Sequence, residues 1–165
     1  MSMRRFLHNN KKGATLIEAL IATSIIMAFL IALVSVHNTY LNSSFSDLFE
    51  VKATYLAEEG IEAVKGLRDA SWTNNIVSQT NGTSYYLVFS NGAWALTTTP
   101  VLIDSKFSRT VTFSTVNRDS SSDIVISGGN PDPNTRKVTV VVSWPFGGAT
   151  ATRSIESYIT NIFSN

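Results

Sequence analysis

The chain has 165 residues, 15% of them charged, a net charge of +1 and no cysteine, which is room for one domain with an appendage and excludes structural disulfides, thiolate metal sites and cysteine nucleophiles. The charge is uneven: of 13 basic residues Arg4, Arg5, Lys11 and Lys12 stand in the first 13 positions without an acid, leaving 9 basic against 12 acidic residues, near −3, in the remainder. A slightly acidic body has no electrostatic footprint for phosphate, so nucleic acid is not an expected partner.

Ala14 to Val36 forms an apolar segment in which Glu18 is the only charge, and Leu20 to Val36 (LIATSIIMAFLIALVSV) has no charge, proline or glycine. About 20 apolar residues carry a helix across a bilayer core of roughly 30 Å. Thr23 and Ser24 return their hydroxyls to carbonyls one turn back in such a helix. Basic residues lie only on its N-terminal side, which sets the N-terminus in the cytoplasm and everything after Val36 outside. A cleaved secretory signal has a shorter apolar region followed by small residues, whereas here the pattern runs on into another helix. A plain signal anchor fits the length but leaves a carboxylate at the head of the apolar run unexplained.

That carboxylate belongs to a pattern. Lys11-Lys12-Gly13-Ala14-Thr15-Leu16-Ile17-Glu18 after a basic leader resembles the cleavage and methylation motif of the type IV pilin and pseudopilin family, over about residues 11–36. The resemblance implies an α+β, pilin-like fold in which a long N-terminal helix packs on a small antiparallel β-sheet head. It implies cleavage after Gly13 by a prepilin peptidase, N-methylation of Ala14, and Glu18 as the residue that sets assembly register. The physics agrees: a carboxylate in an apolar layer is costly unless paired, and cleavage frees an α-amine on Ala14 of a neighbouring subunit. The implied partners are the peptidase/methylase, other pilin subunits, inner-membrane assembly machinery and the lipid bilayer. The implied place is the inner membrane, single-pass, then a surface pilus or periplasmic pseudopilus. Many major pilins carry a proline where this chain has Ser35 and a glycine where it has Met27, and begin the mature chain with Phe, so the resemblance leans to a minor pilin or pseudopilin.

The segments expected are a leader over 1–13, a transmembrane and assembly helix over 14–36, an amphipathic continuation over 37–69 and a β-rich head over 70–165. Leu41, Phe45, Leu48, Val51 and Tyr55, then Leu56, Ala63, Val64 and Leu67, recur at helical spacing and offer one face to a sheet. Joined, the two parts make one helix of about 55 residues, roughly 80 Å. The stretch Tyr55 to Asp69 also resembles minor pilins linked to assembly. Glu58, Glu59 and Glu62 read as a solvated face, since nothing requires their burial.

In the head, Ser84–Ser90 and Ala93–Thr98 about Asn91-Gly92 read as a hairpin. Phe107–Val116, with Phe107, Val111 and Phe113 on one face, Arg136–Trp144 and Ala151–Ile162 read as further strands, giving four or five antiparallel strands on the helix. Asn117 to Thr135 reads as a long loop whose Asp119, Asp123, Asn130 and Asp132 lack the spacing of a helix–loop–helix calcium site, so no metal ligand is assigned. Trp72, Trp94 and Trp144 read as core or sheet residues.

No Ser/His/Asp set, P-loop or dinucleotide fingerprint is present, and both histidines, His8 and His37, lie beside the apolar segment. Neither an enzyme nor a cofactor is expected. A tip-located adhesive or DNA-binding minor pilin is the alternative if Arg109, Arg118, Arg136, Lys137 and Arg153 cluster, and an anchored or secreted protein without a filament is the other. N-terminal sequencing of the chain recovered from cells separates these readings: a start at Ala14 is expected, a start near residue 37 means secretion, and a start at Met1 means a plain anchor.

Overall fold

The computed structural model describes the backbone of residues 11–162 and the side chains of residues 15–162. Arg4 and Arg5, and the side chains of Lys11, Lys12, Gly13 and Ala14, lie outside the described residues. The chain divides into two units, Met1–Phe45 and Ser46–Asn165. A single helix, α1 (Lys11–Ala70), enters both and runs 60 residues, without a proline and, between Ala14 and Glu59, without a glycine to interrupt it. Its end is held by side chains: Asn75 Nδ2 donates to the Leu67 carbonyl at 2.9 Å and Ser71 Oγ accepts from Asn74 N–H at 3.2 Å. A π-helical turn, Thr73–Val77, follows and buries Ile76.

The second unit is an antiparallel sheet covered by the last part of α1. Its strands are β1 (Ser84–Ser90), β2 (Ala93–Thr97), β3 (Leu102–Ile103), β4 (Phe107–Arg118), β5 (Ile124–Val125), β6 (Asn130–Phe146) and β7 (Ala149–Thr160). The path is β2-β1-β4-β6-β7, with β3 and β5 each pairing β4. Asn91 (φ 53°) and Gly92 (φ 78°) make the tight turn between β1 and β2, the geometry that suits the right-handed twist of two paired strands. Gly147 (φ 59°) and Gly148 (φ 81°) do the same between β6 and β7.

Two expectations need correction. The segment 117–135 is not one long loop: β4 runs to Arg118, β5 pairs with it through Asn117↔Val125 and Arg118↔Ile124, and β6 begins at Asn130. Pro131 and Pro133 suggested a turn, but β7 pairs with β6 only from Thr135 onward, so both prolines sit where no β7 partner requires an N–H. The second correction concerns α1. Leu48, Val51 and Tyr55 do not pack on the sheet; they are exposed, as are Leu41 and Phe45. The seated stripe is Ala53, Ala57, Gly60, Ile61, Val64 and Leu67, with Phe49 and Leu56 at its margin.

Small residues define that stripe because the helix lies close to the sheet. Opposite it stand Phe107, Val111, Phe113, Val138, Val140, Val142, Trp144 and Ile159, all buried. Alternate residues from Phe107 to Phe113 on β4 and from Val138 to Trp144 on β6 are buried, as the alternation of a strand requires. Trp72 and Trp144 are core residues and Trp94 is half-buried at its edge. A Cβ on Gly60 would fall 2.8 Å from Val140 Cγ1 and 3.2 Å from Arg109 Cδ, whereas one on Gly66 would meet nothing within 4 Å. Gly60 and Gly66 therefore differ in sign. Gly60→Val is expected to lower head stability by about 1–3 kcal/mol through overpacking, and Gly66→Ala to raise it by roughly 0.5–1 kcal/mol through helix propensity. Urea midpoints of the two variants in micelles check this.

Candidate functional site

Residues 15–44 of α1 are exposed throughout. Leu16, Ile17, Leu20, Ile21, Ile25, Phe29 and Leu33 stand among the exposed side chains, and they occupy all sides of the helix rather than one stripe. The stretch has a mean hydropathy of 2.6 in its most apolar window, none of it buried. Leaving a Leu, Ile or Phe in water rather than in an apolar medium costs about 1.5–3 kcal/mol. A helix this long, and apolar all round, is long and apolar enough to cross a membrane.

Its polar groups fit that environment. Thr23 Oγ1 donates to the carbonyls of Ala19 at 2.9 Å and Leu20 at 3.0 Å, Ser24 Oγ to Ile21 at 2.8 Å, and Thr39 Oγ1 to Ser35 at 3.0 Å. These three hydroxyls are satisfied within their own helix, as lipid demands. Glu18 differs. It is exposed on α1, one turn beyond the described start of side chains, and no hydrogen bond or ion pair to it occurs among the described residues. Gly13 and Ala14 precede it in the same helix, so the Ala14 backbone lies about 6 Å further along the axis.

The head's charged residues are engaged elsewhere. Each of the five basic residues Arg109, Arg118, Arg136, Lys137 and Arg153 has a partner, and Arg118 and Arg136 both reach Thr135. Arg118 Nε donates to Asp132 at 2.7 Å and its Nη1 to the Ser122 carbonyl at 2.8 Å. Lys137 pairs with Glu156 at 2.8 Å, Arg153 with Glu50 at 3.5 Å, and Arg136 Nη1 donates to the Thr135 carbonyl at 3.3 Å. Arg109 lies under α1, where its Nη1 donates to Glu59 at 2.7 Å and to the Leu56 carbonyl at 3.0 Å. Its guanidinium carbon stands 5.2 Å over the Trp94 ring. Glu59 is thus a clip between helix and sheet and not solely part of a solvated face, while Glu62 takes Lys65 at 2.7 Å on the same helix. Position 109 sits between Phe107 and Val111 on the inward phase of β4, a signal that alternation alone carried.

Of the acids in the segment 117–135, Asp132 is engaged by Arg118, by the Thr135 hydroxyl and by the Asn134 N–H, and Asp119 by the backbone. Asp119 Oδ1 accepts from the N–H of Ser121 at 2.8 Å and of Asp123 at 3.0 Å. Among the described residues no group of three or more His, Asp or Glu is placed to hold a metal ion. Comparison with family models, with curated proteins and with solved structures gave no match.

Asp132 is the head's most perturbed acid. Hydrogen bonds from Arg118, then from the Thr135 hydroxyl at 2.6 Å, lower its pKa from 3.8 to about 2. A carboxyl depressed on folding stabilises the fold above its unfolded pKa and ceases to do so as pH falls through the folded one. The Asp132 contribution is therefore complete above 3.8 and lost as pH drops towards about 2. Thermal midpoints measured across this window should fall more steeply for the parent chain than for Asp132→Asn, which lacks the titrating group and starts lower at neutral pH.

Proposed function

We propose that this chain is a structural subunit of a type IV pilus or of a related secretion or competence pseudopilus, of the minor kind, held in the membrane through α1 before assembly. The carrying observation is Glu18. It is a carboxylate with no partner among the described residues, in a helix whose other residues from Thr15 to Val36 are exposed and uncharged. In a low-dielectric layer a lone carboxylate is costly and a paired one is specific. The sequence ahead of it supplies the partner by processing: cleavage after Gly13 frees the Ala14 amine, and the amine of one subunit meets Glu18 of the next. The basic leader, Arg4, Arg5, Lys11 and Lys12, keeps the uncleaved end in the cytoplasm and the head outside. The unbroken helix, with Met27 and Ser35 where major pilins carry glycine and proline, supports the minor assignment.

Under this reading the exposed Leu41, Phe45, Leu48, Val51 and Tyr55 extend the apolar surface beyond the bilayer into the packing of neighbouring helices. The paired state of Arg118, Lys137 and Arg153 argues against a head that reads phosphate. Glu18→Val is expected to stay in the membrane fraction at parental levels and to be processed. Its incorporation into filaments should fall about tenfold or more, since removing one partner leaves an amine unpaired in an apolar layer. Immunoblots of membrane and sheared-filament fractions measure this, and parental incorporation of the variant refutes the role.

A further inference from the structure

The head's sheet has two open edges. The outer side of β7 and the outer side of β2 have no strand partner among the described residues. We infer that these edges join: β7 of one head takes β2 of a second copy as a parallel neighbour, so that the sheet continues from head to head.

Hydrogen-bond phase shows what each edge presents. In a hairpin closed by a two-residue primed turn, the residues flanking the turn exchange both main-chain bonds, and the phase alternates from there. Phe146↔Ala149 flanks the Gly147-Gly148 turn. The odd-numbered residues of β7 therefore turn their main chain to β6. Thr150, Thr152, Ser154, Glu156, Tyr158 and Thr160 turn theirs outward. Starting instead from Ser90↔Ala93, which flanks Asn91-Gly92, and passing through Tyr85↔Val111, Thr110↔Val141 and Val140↔Ile155 gives the same phase. On β2 it turns out the main chains of Trp94 and Leu96.

Natural sheets protect such edges with proline, bulges or short strands. β7 has none of these: it is 12 residues long, without proline, and in unshifted register with β6. Its charges, Arg153 and Glu156, already have partners in Glu50 and Lys137, and β2 has no charge. Nothing on either edge repels the other. The rims also match: half-buried Trp94 and Leu96 fringe the core on one edge, and Ala151 and Ile155 on the other. Joining the edges buries each pair against the other.

Strand direction selects the parallel form. Each step from β2 through β1, β4 and β6 to β7 is antiparallel, so β2 and β7 point the same way. Moving one head along its sheet without rotation sets β2 beside β7, and the Ser46–Ala70 part of α1 keeps its direction in both copies. Antiparallel pairing of two β7 edges about a two-fold axis would reverse that helix. Copies anchored in one membrane through their N-termini share a helix direction; this step rests on the function proposed above. A head-to-tail contact of this kind does not close on itself, and repeats.

The chain has no cysteine, so introduced thiols report without background. Full-length copies with two different tags, one carrying Ala95→Cys and the other Thr152→Cys, Ser154→Cys or Glu156→Cys, are expressed in one membrane and oxidised. Disulfide dimers between tags are expected, with one member of the panel dominant, and Ala95→Cys/Ser154→Cys in one chain should give a ladder of multimers. Adding Thr150→Pro to the β7 copy removes one outward N–H and no bond to β6, and should abolish the crosslink while leaving the head folded. Crosslinking of Ser154→Cys to itself, or none across the panel, overturns the inference. A thiol at Leu30 in both copies is read in parallel. A bond there with none at the heads leaves helix assembly standing without the sheet contact, and the reverse leaves the sheet contact standing alone.

Discussion

Apolar surface on every side of a helix must find an apolar medium, and the residues of α1 from Thr15 to Val36 are all exposed. The other properties of the segment follow from this one. The hydroxyls of Thr23 and Ser24 turn back on carbonyls one turn earlier in the helix. Its flanking basic residues stay on one side. Glu18 alone departs from the rule, and an exception in so costly a place is a candidate for function rather than for packing.

Within the second unit a different constraint governs α1. Ala53, Ala57 and Gly60 bring the helix backbone close to Val140, and larger residues on either side, Phe49 and Leu67, close the contact. The ion pairs ring this seat. Arg109 reaches Glu59 beneath the helix, and Lys52 reaches Asp104 at its margin. The exposed pairs each contribute little, but Arg109 is buried, and losing Glu59 would strand its charge. The same helix thus carries two apolar surfaces built by different rules: one of small residues fitted to a sheet, and one of large residues that are exposed.

How far the residues foretold this depends on the signal each carried. Asn91-Gly92 between alternating runs placed a hairpin to the residue on its first strand, because that dipeptide adopts a backbone few others can. The long strands were legible from alternation, and their boundaries were not. Asn130 to Asn134 looks like a turn by composition, yet it lies beside the end of β4, where proline costs no hydrogen bond. Bulk alone does not show which face of α1 is seated. At this close helix–sheet contact Ala53, Ala57 and Gly60 mark the interface together with Leu67, while Leu48, Val51 and Tyr55 are exposed. Arg109 was hidden by its charge, although its phase on β4 pointed inward. Glu18 is legible as an acid isolated among uncharged neighbours, and the structure adds that it is exposed on α1.

The bond between β6 and β7 runs unbroken from Phe146↔Ala149 to Thr135↔Thr160. Tension applied along those strands would load every rung of that ladder together, in shear, whereas tension across them would open the rungs one by one. The direction of pull, more than the equilibrium stability, then decides how long the head survives under load, because forced opening is governed by the rate of unfolding.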